Sequence, residues 1–512
     1  MNHSVDPAES MAEKVGEEAR RRDRWVKIGL LAFSAATLAL LVTAALRENV
    51  FTEWKAHQRR YAAILREKAA DRDGELLAER FRVEMRQVVL PELGTVDRCV
   101  SCHTGMDDPR MTGVPAPYAA HPGDYLREHE IERFGCTICH RGQGRAMDFE
   151  QAKSEKHHWD YPLLPTVYAQ SSCGVCHSPE EVAVRGGDWY AAGAAQFEEK
   201  GCRSCHKLGG RGGNLGPELD NEGLKVRGQL PMARVEGPKT LPEWLAEHFR
   251  DPGGIVAGSR MPSPGLSPDE NRALTTFMLS LQDRDLPSSY LTPERHLEVY
   301  RNARPPERTG EDLYRTFCSH CHDTGRSGRF DKFFGIFIPA IRGESYRSTV
   351  SPAYLAANIR EGRPGKIMPG WSPASGGLSE EEIRRVAVYL LGREVSPDEW
   401  NDPKPSPAPK GDAERGRRLF AKNCSGCHGA DGAGRVGPSL DTAVFRRYAG
   451  DPFLFRTIAE GRRNTAMPAF LGPVAGGLGE GDVNDLIAFL RTLGRGAVAL
   501  AAPAAGAPVS DP

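Results

Sequence analysis

The sequence lacks an excess of either charge: 67 Lys and Arg stand against 68 Asp and Glu in 512 residues. That balance gives no hint of nucleic acid, and none is expected as a partner. It also lacks the makings of one large core. Gly (55) and Pro (38) are abundant and aromatics are 8%, which suits several small, loop-rich domains whose thin cores need a bound group to complete them. Long apolar runs are missing but for one near the N-terminus. No catalytic triad or carboxylate pair with supporting spacing is present. The Gly-rich runs GGRGGNLGP and GADGAGRVGP match no phosphate loop.

No cysteine stands alone. The twelve fall as Cys99/Cys102, Cys136/Cys139, Cys173/Cys176, Cys202/Cys205, Cys318/Cys321 and Cys424/Cys427, and a histidine follows each pair at once: His103, His140, His177, His206, His322 and His428. A zinc site built on C-x-x-C recruits a second distant pair or a later His pair and has no need of these histidines. A redox dithiol needs one motif, not six. C-x-x-C-H is the attachment pattern of c-type haem: two thioether bonds anchor the porphyrin and the adjacent imidazole reaches the iron. Six covalently bound haem c groups are therefore expected.

The apolar run Ile28–Leu46 is 19 residues without a charge, just enough to cross a hydrocarbon core of about 30 Å. Arg20, Arg21, Arg22, Arg24 and Lys27 precede it, so residues 1–27 are expected in the cytoplasm, 28–46 in the membrane and the rest outside. Val42-Thr43-Ala44 offers the alternative of a cleaved leader, but the length of the run and of its preface favours an anchor.

Beyond the anchor, 47–90 reads as a helical stalk. Trp54, His57, Tyr61 and Leu65 share a face, DRDG (71–74) breaks the helix, and Pro91 ends a second one. In 91–185 three motifs recur 37 residues apart among Pro and Gly, which implies haems packed against one another. A threefold repeat follows, at 186–283, 310–393 and 411–495. Each unit has a Gly and an aromatic four residues on (Gly193/Phe197, Gly310/Tyr314, Gly416/Phe420), then C-x-x-C-H, a Met-Pro pair and an amphipathic last helix. Residues 284–309 and the Pro-rich 394–410 read as linkers, and 496–512 as a disordered tail.

In the repeats Met261, Met368 and Met467, each before a Pro, are the expected sixth ligands. Gly216-Pro217 and Gly437-Pro438 are expected to turn the chain so that a Pro carbonyl accepts the other ring N–H of the proximal histidine. The segment 91–185 lacks Met-Pro. Its distal candidates are His57, His121, His129, His157 and His158, with Met106, Met111 and Met147 as substitutes. His248, His296 and His320 are expected to be structural or exposed.

The three repeats resemble class I monohaem cytochrome c domains, of the type also found in the c-type subunits of haem-copper oxidases. The middle unit departs by lacking a clear Gly-Pro. The stretches EWKAHQRRY, VDRCVSCH, AHPG, FGCTICHRGQGRA and SSCGVCH resemble, more loosely, the membrane-anchored multihaem cytochromes that accompany bacterial quinol-oxidising cytochrome b/Rieske complexes. The resemblance implies a mainly α chain: a transmembrane helix, a loop-rich trihaem segment and three small all-α cytochrome c domains. It implies a single-pass protein of the bacterial inner membrane with periplasmic haem domains. It would relay electrons from a quinol-oxidising cytochrome b subunit to a soluble cytochrome or terminal oxidase, with no substrate site of its own. The alternative is a multihaem reductase or peroxidase with one open haem.

Overall fold

A computed structural model describes residues 7–154, 159–284, 286–295, 307–363, 366–401, 410–463, 465–473 and 477–494. His3, His157, His158, His296 and the tail lie outside them. The chain is mainly helical and divides into two compact units, Met1–Pro165 and Thr166–Pro512.

The first unit opens with a helix from Pro7 to Asn49. It is one helix through the charged preface and the apolar run, longer at both ends than 28–46. It is the one described helix long and apolar enough to cross a membrane, and its apolar window is unburied. Thr37 and Thr43 return their hydroxyls to the carbonyls of Phe33 and Ala39, so neither polar group needs a partner in lipid.

The stalk helix, Glu53–Lys68, buries Trp54, Tyr61 and Leu65 as expected, and also Gln58, which periodicity alone passes over. Gln58 is fully buried. Its amide donates to the carbonyls of Glu84 and Ser101 and accepts from the Glu84 N–H, tying the stalk to the first C-x-x-C-H. The second stalk helix is shorter than expected. Asp71 caps it through the Gly74 N–H and it runs only Arg72–Arg80. Phe81 then leaves the helix to pack on Tyr61, ring centroids 5.2 Å apart. Val88–Leu90, read as helix, is a strand paired antiparallel with Thr95–Asp97. Its β-branched pair favours the pleat, and Pro91 starts the turn rather than ending a helix.

The second unit begins at Thr166, inside the expected trihaem segment. The third motif sits on the 3-10 run Thr166–Val175, whose Ser171, Ser172 and Gly174 are buried. A Cβ at Gly174 would overlap Ser280 and Tyr190 of the first repeat. Small side chains let this run lie close on that repeat, so the 91–185 segment is split: two motifs in one unit, the third in the other. The linker read at 284–309 also has structure. Tyr290 is buried, and Thr292 returns to the Cys176 carbonyl through its N–H at 3.4 Å, its hydroxyl oxygen lying 3.1 Å from the same carbonyl. In 394–410, the turn Pro397–Trp400 is fixed by Ser396 and by an Arg393–Glu399 ion pair, so its start is folded rather than extended.

In each repeat the first helix crosses the last: Asp188–Glu199 on Pro268–Ser280, Gly310–Phe317 on Glu380–Leu391, Ala413–Asn423 on Glu480–Leu490. The repeated glycine stands at each crossing. A Cβ on Gly193, Gly310 or Gly416 would overlap the carbonyl oxygen of Ala273, Arg385 or Asp485. The repeated aromatic meets its counterpart on the last helix: Phe197–Phe277 at 5.4 Å, Tyr314–Tyr389 at 5.4 Å, Phe420–Phe489 at 5.2 Å. One apolar core runs through the second and third repeats, from Leu313 to Leu493.

Candidate functional site

All twelve cysteines are free of disulfides. Among the described residues no group of three or more His, Cys, Asp or Glu side chains is placed to hold a metal ion, which is the arrangement a zinc site requires. Each C-x-x-C-H instead forms one tight turn in which the N–H of the histidine (His103, His140, His177, His206, His322 or His428) donates to the carbonyl of the first cysteine at 2.8–3.0 Å.

The imidazole surroundings test whether haem fits. Nδ1 of His206 lies 2.8 Å from the Pro217 carbonyl, and Nδ1 of His428 lies 2.8 Å from the Pro438 carbonyl. Such a bond fixes the ring and leaves Nε2 for a metal. A Cβ at Gly216 or Gly437 would run into the imidazole, so the Gly-Pro order is needed as it stands. In the middle repeat Pro339 is the backbone acceptor facing His322. It follows Ile338 rather than a glycine, and Nδ1 falls outside strict hydrogen-bond geometry. Burial pushes the imidazoles of His103, His140, His206 and His428 below the ordinary histidine range, and that of His322 to about 4. They are neutral near pH 7, the form a metal binds. The residues fit c-type haem.

The methionine loops repeat as well. Met261, Met368 and Met467 are all half-buried. The Met368 and Met467 carbonyls accept from Arg363 and Arg462, each at 3.0 Å. Gly362 and Gly461, at φ 64° and 69°, fold each loop onto the following Pro369 or Pro468.

In the first unit the motifs crowd together. The thiols of Cys99 and Cys136 act on each other: Cys136 holds the Cys99 thiol below its ordinary range, and Cys99 pushes that of Cys136 above it. The rings of His121 and His140 are 6.1 Å apart, and Nδ1 of His121 is held by the Pro122 carbonyl at 3.0 Å. His129 is turned elsewhere, with Nδ1 on the Tyr125 carbonyl and its ring against Phe134. His57 lies between Tyr118, at 3.1 Å, and Glu53, at 3.4 Å, close enough to His103 to disfavour a charge there. Met111 is fully buried among Tyr61, Ile64 and Leu65, in the apolar core of the stalk.

Two features are not read from spacing. Asp97, fully buried, accepts from the N–H groups of Cys136 (2.5 Å) and Thr137 (2.9 Å) and from the Thr137 hydroxyl (2.8 Å). Gly135 and Gly144 leave room for this carboxylate, which a Cβ on either would strike. The one sequence hint is the acid two residues before Cys99. The second is the contact between the first two repeats. Gly201 lies against the Cβ of His320, burial and the charge of Cys321 push the Cys205 thiol up, and Arg211 pairs with Glu382 at 2.7 Å. His248, expected to be structural, stacks on Trp244 at 4.6 Å.

These features define a class of site: c-type haem attachment motifs, most of them in cytochrome c domains, behind a helix suited to a membrane anchor. Residues 190–282 match the family described as Cytochrome c, and residues 305–390 and 411–490 match the family described as Cytochrome C oxidase, cbb3-type, subunit III. The chain is similar to the Cbb3-type cytochrome c oxidase subunit FixPc of Rhizobium leguminosarum bv. viciae, 28% identical over 195 residues, 36% of this chain and 61% of that one. It is similar to the Cbb3-type cytochrome c oxidase subunit CcoP of Rhodobacter capsulatus, 24% identical over 200 residues, 36% and 62% of the two chains. A shorter match, 32% identical over 93 residues, joins it to Cytochrome c oxidase subunit 2 of Alkalihalophilus pseudofirmus, 18% of this chain and 25% of that one. The chain thus spans less than two thirds of these relatives. No solved structure matches.

Proposed function

We propose that the chain is a hexahaem electron relay on the periplasmic side of the inner membrane, with its N-terminus in the cytoplasm. Bound haem c supplies one-electron iron chemistry at each motif. The protein attaches it through the twelve cysteines, ligates it through His103, His140, His177, His206, His322 and His428, and sets its potential by what stands opposite. Met261, Met368 and Met467 serve in the repeats, where a thioether raises the potential relative to a second histidine. In the first unit His121, whose ring centre lies 6.1 Å from that of His140, would hold the same iron together with His140. His57 is the partner for His103. His129, its Nδ1 likewise on a carbonyl and its ring against Phe134, is the second candidate for the motif of His140. His157 and His158, outside the described residues, stay on the list of distal candidates behind His121 and His129.

The observation that carries the relay is the docking of the fourth motif on the fifth, Gly201 against His320 and Arg211 paired with Glu382. An enzyme with one working haem has no need to bring two attachment edges together. The donor is a quinol-oxidising cytochrome b-type membrane subunit; the acceptor is a soluble cytochrome or a terminal oxidase, for which the likeness to oxidase subunits favours the haem-copper kind. Co-purification from membranes tests this: recovery of a cytochrome b or oxidase subunit supports it, and recovery of neither overturns the partner assignment.

A further inference from the structure

The histidine of the third motif is held differently from those of the repeats. His206 and His428 bond to neutral Pro carbonyls. Nδ1 of His177 instead faces a carboxylate, Glu181 Oε1, at 2.9 Å, with the side chains 19% and 11% exposed. The N–H is off the ideal line, but the carboxylate is well fixed. Ser178 caps the short helix Pro179–Val182 and accepts from the Glu181 N–H. His177 stands just before that cap, and the first turn of the helix brings Glu181 back to its ring. The other oxygen, Oε2, accepts from the Thr292 hydroxyl at 2.9 Å, while the Thr292 N–H goes to the Cys176 carbonyl.

We propose that Glu181 is a positioning residue that acts through His177 to make the third haem a low-potential station, with Thr292 moderating it. This rests on the relay reading, in which His177 is an iron ligand. A carboxylate draws the Nδ1 proton more strongly than a carbonyl does, so the opposite nitrogen becomes a stronger donor to the metal. A stronger donor favours oxidised iron and lowers the potential. The Thr292 hydroxyl pulls the other way by sharing the carboxylate's charge. The relay therefore has its step in potential within the second unit, between the third motif and the first repeat.

Redox titration of the full-length holoprotein tests this, after peptide mass spectrometry has established that Cys173 and Cys176 carry haem. Glu181→Gln keeps the shape and removes the charge. It should raise one midpoint potential and shift the oxidised-to-reduced ratio of that haem about tenfold at fixed potential, about 59 mV for one electron. Thr292→Val should move the same potential down, a reversal that a purely structural role does not give. An unmodified Cys173–Cys176 peptide overturns the relay reading at this motif and the proposal with it. A loaded peptide with no shift in Glu181→Gln, or with all potentials moving together, overturns the role of Glu181 alone. If Glu181→Gln does not mature, an unmoved potential in Thr292→Val overturns it instead.

Discussion

The motifs at Cys136 and Cys424 share a pattern of five residues and are supported in opposite ways. At Cys424 the support is local: Gly437 and Pro438, a few residues on, clear the ring of His428 and accept from it. At Cys136 it comes from afar: buried Asp97, on a strand before the previous motif, gathers three donors of the turn. A repeat domain carries its haem machinery in one continuous stretch and can be duplicated as a block. The first unit weaves its two motifs into a shared structure and cannot be cut in the same way.

The largest effect is expected from Asp97→Ala. It leaves buried donors without an acceptor, at a cost of roughly 4 kcal/mol. Unfolding should come at lower denaturant, and mass spectrometry should find haem lost from the Cys136–Cys139 peptide but kept on Cys424–Cys427. Equal loading of both peptides would remove the contrast. The converse change, Gly437→Val, forces a side chain into the His428 ring and should cost about 1–3 kcal/mol. EPR should lose one low-spin signal while those of the first unit persist.

Met261→His, Met368→His and Met467→His each sharpen the contrast by giving a repeat the ligand pair expected of the first unit. Each should lower one potential, and a titration in which none moves removes the methionines as ligands. The smallest effect falls on the contact between repeats. Burial raises the Glu382 carboxyl, but the hydrogen bond from Arg211 and the Ser379 cap outweigh it and hold it below the ordinary value of 4.5. Its contribution is therefore full above about pH 4.5 and is lost as pH falls through the depressed value. Glu382→Gln should cost about 1–2 kcal/mol at pH 7 and flatten that acid loss in thermal unfolding.

What was legible in the sequence follows the same division. In the repeats, the glycine and aromatic spacing gave the helix crossing, and Gly-Pro gave the carbonyl under the ring, because both depend on residues close in the chain. The stalk was half legible: Trp54, Tyr61 and Leu65 lie on the buried face, but Gln58 is buried through partners 26 and 43 residues away. The strand Val88–Leu90 is not legible, because its partner Thr95–Asp97 lies beyond the turn that starts at Pro91. The third motif was assigned to its neighbours in spacing, whereas its small residues commit it to the first repeat. Asp97 and Glu181 were not singled out, since an acid near a C-x-x-C-H looks like any surface charge until its partners are placed around it.

The central claim is that every iron is a relay station with both axial positions filled. Low-temperature EPR of the purified full-length protein tests it most directly. The account predicts six low-spin haems and no turnover of nitrite, nitric oxide or peroxide. A high-spin haem that turns over one of these substrates would contradict it and make the chain an enzyme.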